Sequence, residues 1–165
     1  MLLTESGSLQ PDAWRHLADE EPLHDSDPVT VSLTRWQKER AALQAWNGRL
    51  GLRLPNHAEP ATIADDIDRF ALIVLNFPKF TDGRAYSQAR LLRSRYRYAG
   101  ELRASGNVLR DQLLFMRRCG FNSFIVDERA VREDWSKAFD EFDVFYQKAQ
   151  DTAPWVMRQR LGKDC

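Results

Sequence analysis

The run "ALIVLNF", residues 71–77, constrains the fold more than any other feature: seven consecutive residues with one polar side chain. A strand half-exposed to water alternates apolar and polar residues, so an unbroken run of this length predicts a strand covered on both faces, as in a parallel sheet. Short apolar stretches recur on either side of it. "PVTVSL", "LGLRL", "GELRAS" and "FNSFIVD" read as four further strands, separated by segments of helical period. Strand and helix in alternation is the sequence form of successive βα units. The expectation is a single α/β domain over residues 28–150, with a mostly parallel five-stranded sheet, doubly wound. A partial βα barrel is the alternative, because sequence does not give strand order.

The connecting helices carry their own signals. Thr34 and Gln37 in "TRWQ" have the spacing of a capping box, and Gly48 is the expected stop. Pro60 suits a first helical position ahead of the stripe Ile63, Ile67 and Phe70. Ala85, Ala89, Leu92 and Tyr96 share a face whose alanines permit close approach to a sheet. Asn107 is the expected N-cap of a helix ending at Gly120, with Gln112 at the centre of its apolar face. Val131, Trp135, Ala138, Phe142, Phe145 and Ala149 continue at helical spacing, Pro154 ends any continuation, and "FDVFYQ" has an extended reading as well. Residues 1–27, rich in acids and holding Pro11 and Pro22, are expected to be a loosely held arm, and residues 151–165 a tail.

Charge and cysteine content exclude several functions. The formal net charge is zero, which gives no indication of a nucleic-acid partner. No apolar run approaches the roughly 20 residues that span a bilayer, and no export signal is readable, so the expected compartment is the cytoplasm with no membrane partner. Cys119 and Cys165 are far apart, and with His16, His24 and His57 they make neither an iron–sulfur nor a zinc pattern. No GxGxxG or Walker loop occurs, and the first βα turn lacks a flavin-phosphate cradle. No metal and no cofactor are expected. A homo-oligomer stays open.

Ligands of open parallel sheets lie beyond the carboxyl ends of the strands, where helix N-termini point inward. That rule selects Asn76, Lys79, Thr81, Asp82, Gly83 and Arg84 after the third expected strand, Arg103, Ser105 and Asn107 after the fourth, and Asp127 after the fifth. Lys79, Thr81, Gly83, Arg84, Arg103 and Asn107 are the candidate binders of a small oxyanion, with Asp82 and Gln112 supporting them. Glu101 and Asp127 are the candidate acid/base groups. Each has a structural reading beside it: Asp82 capping a helix and pairing with Arg84, Glu101 pairing with Arg103 on the same side of a strand, Gln112 bonding backbone, Cys119 a buried thiol. His57, without a readable partner, is taken as a loop histidine.

The stretch "FPKFTDGRAYSQARLLRSRYRYAGELRASGNVLRDQLLFMRRCGF" resembles the signature of a bacterial family, domain of unknown function 934. Its motif positions fall here on Lys79, Asp82, Gly83, Arg84, Ser87, Arg90, Glu101, Arg103, Asp111, Gln112 and Cys119. One departure is Asn107, where the family is expected to carry aspartate; an N-cap survives that change and a required carboxylate does not. Members are described as oxidoreductases of sulfite reduction through gene association with sulfite reductase. The resemblance implies an accessory protein of assimilatory sulfite reduction with that reductase as partner, binding a small oxyanion or docking through the basic segment from Lys79 to Arg95. Whether it is itself an enzyme is left open. The alternatives are an enzyme acting on a phosphorylated or sulfated metabolite, and an oxidoreductase with bound flavin.

Overall fold

The structure, a computed structural model, describes residues 1–23, 27–142, 144–150 and 155–156. His24, Asp25, Pro154, Cys165 and most of the expected tail lie outside the described residues. Eight strands form one sheet: β1 (Leu2–Thr4), β2 (Leu9–Gln10), β3 (Arg15–His16), β4 (Val29–Ser32), β5 (Leu50–Leu54), β6 (Leu72–Phe77), β7 (Glu101–Gly106) and β8 (Ser123–Ile125). Their order is β2-β1-β8-β7-β6-β5-β4-β3. From β3 to β8 every pairing is parallel; β1 runs antiparallel to β8, and β2 antiparallel to β1.

This corrects the expected doubly wound, five-stranded parallel sheet. Double winding requires the strand order to reverse at a switch point. Here β3 to β8 follow one another in chain order without reversal, and crossovers of one hand then keep the helices on one face. The result is a mixed sheet curled into a half-barrel, close to the alternative architecture.

The helical face holds the core. Leu52, Ile73, Leu75, Leu102 and Ala104 of the strands pack with Trp36 and Leu43 of α1 (Leu33–Ala45), Ala85, Ala89 and Leu92 of α2 (Arg84–Ser94), and Leu113 and Met116 of α3 (Leu113–Cys119), all essentially removed from water. The two alanines of α2 meet the sheet as expected. Ile63 and Ile67 are buried too, on a 3₁₀ segment, Pro60–Arg69, as is Phe70 directly after it.

Several helix boundaries differ from expectation, among them the end of α1, which stops at Ala45 with Trp46 as its cap rather than at Gly48. The cap of α1 is Ser32, whose hydroxyl accepts the Arg35 amide at 3.0 Å, so the helix begins before Thr34. Asn107 caps nothing. Gly106, at φ 88°, turns the chain so sharply that a Cβ there would meet the Phe77 carbonyl at 2.4 Å, and that carbonyl takes the Asn107 amide instead. Helical structure resumes at Arg110–Gln112 and passes into α3. After β8 the expected long helix is replaced by a short helix, α4 (Arg129–Arg132), and a 3₁₀ turn, Trp135–Asp140, which bury Trp135 and Ala138. Phe142 is exposed and Phe145 forms an isolated parallel bridge with Trp155.

The expected loose arm is instead a strap across the concave face. Register places Thr30, Gly51, Leu72 and Glu101 in one row on that face, and Ser32, Arg53, Val74, Arg103 and Ser123 in the next. After β1 and β2 at one edge, the chain crosses these rows to β3 at the other. Trp14 packs on Leu72 and Val74, which is why β6 is apolar on both sides. Gly51 makes room for it: a Cβ there would lie 2.9 Å from Thr30 Cγ2 and 3.1 Å from both Leu72 and Trp14. Among the described residues no helix is long and apolar enough to cross a membrane.

Candidate functional site

The turn between β6 and α2 does not gather its cations into a pocket. Arg84 lies alongside Asp82, Nε donating to Oδ1 at 3.0 Å and the terminal nitrogen to Oδ2 at 2.7 Å, while the Arg84 amide also donates to Oδ1. Asn56 donates to the same carboxylate from the neighbouring loop at 2.7 Å. Asp82 therefore consumes the charge that Arg84 was expected to offer an oxyanion, and with this pairing its pKa falls to about 2. Lys79 and Thr81 face solvent. Gly83 is exposed in ordinary backbone, and a Cβ there would touch only Tyr86, so no close approach demands a glycine.

Arg103 is wholly buried, far along the concave face from that turn. Its guanidinium donates to Glu101 Oε1 at 2.7 and 3.1 Å and to both oxygens of Asp12 at 2.8 Å. The Ser123 hydroxyl donates to Glu101 at 2.6 Å. Asp12 in turn meets His16 Nε2 at 3.1 Å, and His16 Nδ1 meets Thr30 Oγ1 at 2.7 Å. Burial alone would raise the Asp12 pKa; the Trp14 amide and the Arg103 charge more than offset it, and the net shift is downward. A cation answered by two carboxylates is a strap anchor rather than an open clamp. Glu101, expected as acid/base, is part of the same anchor.

Asp127 repeats the arrangement of Asp82. It accepts the Arg129 amide at 2.9 Å and its Nε at 2.8 Å at the start of α4, and these contacts lower its pKa, so it is held as an exposed, paired carboxylate. Gln112 donates to the Phe80 carbonyl at 3.1 Å and leaves its Oε1 buried without a hydrogen-bond partner. Cys119 is buried in the core. Asn107, exposed beyond β7, makes no side-chain hydrogen bond to another candidate among the described residues.

Two surface features remain beyond these satisfied groups. Around Gln112, Phe80 and Phe115 are 52% and 55% exposed, and Phe115 packs with its ring tilted, centroids 4.9 Å apart, against Tyr86, whose hydroxyl is pushed up to about 12 by burial and by the nearby Cys119 and Asp111. Lys79 precedes Phe80, and Arg90 lies one helical turn beyond Tyr86; neither side chain has a hydrogen-bond or ion-pair partner among the described residues. Elsewhere, a hollow of about 500 Å³ opens at the carboxyl ends of β4 to β7 on the concave face. Arg53, His57, Asn76 and Ser105 are among its polar lining, and Leu33, Pro55 and Val74 form its apolar wall.

Reasoning from sequence selected Asn76 and Ser105 as strand-end residues, took His57 as a loop histidine and passed over Arg53. The signal for Arg53 was present: a lone cation in "LGLRL", two residues from Gly51 and therefore on its side of the strand. The barrel reading of strand order was needed to see that this side is the inner one.

Residues 51–156 match the family profile described as bacterial protein of unknown function, DUF934, and the chain belongs to that family. A comparison with curated proteins found no match.

Proposed function

We propose that this protein is an accessory of sulfite reduction that docks on an acidic protein surface through Phe80, Phe115 and the cations beside them. The observation that carries this reading is the pair of half-exposed phenylalanines on either side of Gln112, flanked by Lys79 and Arg90 without carboxylate partners. Large apolar side chains grouped at a surface mark contact sites, and unpaired cations beside them select partners of opposite charge. Asp82 neutralises Arg84, so the segment from Lys79 to Arg95 supports docking better than capture of a small anion. The family resemblance supplies sulfite reductase as the acidic partner to test.

Purified sulfite reductase is expected to bind the wild-type protein in interferometry, with affinity falling as salt rises. The double substitution Phe80→Ser and Phe115→Ser, both at exposed positions, weakens binding by about tenfold or more. Absence of wild-type binding, or equal binding by the double variant, removes the proposal. If sedimentation shows instead a wild-type dimer that the double variant abolishes, the face joins two copies of this chain and the acidic-partner reading falls.

A further inference from the structure

The hollow at the carboxyl ends of β4 to β7 lies apart from the docking face and is built differently. Arg53 is half-buried, and its guanidinium donates to the Leu17 carbonyl at 2.6 Å and weakly to Thr30 Oγ1 at 3.4 Å. No carboxylate hydrogen-bonds to it among the described residues. Asp19, whose charge does reach Arg53, is engaged by the Ser32 hydroxyl at 2.6 Å. Arg35 adds positive charge nearby; both it and burial disfavour the Arg53 cation, yet a guanidinium stays charged at any ordinary pH. A partly dehydrated cation in a concavity, short of anionic partners, is half of an ion pair. Contrast Arg103, buried on the same face, which has two carboxylates.

The rest of the hollow indicates what carries the missing anion. Asn76 and Ser105 are opposite one another in register at the ends of β6 and β7 and offer amide and hydroxyl groups. Leu33, Pro55 and Val74 present carbon. A volume of about 500 Å³ suits an organic molecule, since small-molecule sites occupy roughly 300 to 1,000 Å³, and a bare oxyanion would leave most of the apolar wall uncovered. Parallel strands bind ligands at their carboxyl ends in barrels, where the loops converge.

We infer that this hollow binds a small organic molecule ending in an oxyanion, phosphate, sulfonate or carboxylate, with the anion on Arg53, the carbon body against Leu33, Pro55 and Val74, and a polar substituent between Asn76 and Ser105. The site goes beyond the docking role and stands or falls without it.

Phenyl phosphate, benzenesulfonate and benzoate serve as probes, with inorganic phosphate, sulfate and benzyl alcohol as controls, in calorimetric titrations of the full chain. At least one organic anion binds about tenfold or more tightly than its inorganic counterpart, and benzyl alcohol does not bind measurably. Arg53→Met weakens that binding by roughly ten- to a hundredfold. Ser105→Leu, which fills the hollow and leaves Arg53 in place, abolishes it and decides the matter should Arg53→Met fail to fold. Lys137→Ala, an exposed cation outside the hollow, changes nothing. The inference is overturned if no organic anion binds at millimolar concentration, if inorganic anions bind as tightly, or if binding survives Ser105→Leu.

Discussion

Arg103 and Asp82 show at the level of single residues how charge is disposed of in this protein. Arg103 sits fully buried between Glu101 and Asp12, so its removal strands two carboxylates against the concave face. Replacing it with Met should cost about 3–5 kcal/mol in urea unfolding, the range for breaking a buried pair. Lys should not restore it, because one ammonium cannot reproduce the fork that reaches both partners. Asp82 gives a pH-dependent prediction. Its folded pKa, about 2, lies below the ordinary 3.8, so the folded state binds the proton less readily than the unfolded one. The stabilisation from its pairing is complete above pH 3.8 and is lost as pH falls from there through about 2. A carboxyl titration followed by NMR should give a midpoint near 2 for Asp82, and Arg84→Ala should move it up toward 3.8.

The strap is the element whose behaviour is least like its sequence. Its strands are two or three residues long, too short to show alternation, and its fixed points are partners remote in the chain, such as Asp12 on Arg103 and Leu17 on Arg53. A segment so rich in acids and prolines reads as disordered until those partners are known. Gly51 is the position where strap and sheet depend on each other. Gly51→Ala should destabilise the fold by about 1–3 kcal/mol in chemical denaturation, because its methyl group meets Thr30 and Leu72 and pushes on the Trp14 ring. In a Trp14→Ala background the ring's share of that penalty disappears, so the combined effect should be less than the sum of the two single substitutions.

Across the whole molecule, the features visible in the sequence were those set by neighbours in the chain. The five inner strands, the alanine face of α2 and the end of α3 at Gly120 follow from local pattern. Strand order, the antiparallel pair β1 and β2, and the contents of the concave face depend on hydrogen bonds between distant segments, which composition does not encode. The candidate site divides the same way. Glu101 and Arg103 were placed correctly on one side of β7, yet whether that side met a ligand or the strap was decided by Asp12, 91 residues from Arg103.

The first sixteen residues supply both rims of the sheet, β2 and β1 beyond β8 and β3 beyond β4. They are synthesised before either neighbour exists. On a translating ribosome β3 can join β4 soon after it emerges, whereas β1 and β2 have only each other until β8 appears more than a hundred residues later. Over that interval the growing flank of the nascent sheet stays open to strand pairing with other chains, which makes addition of the β1–β2 pair, rather than growth of the parallel centre, the step most exposed to aggregation during biosynthesis.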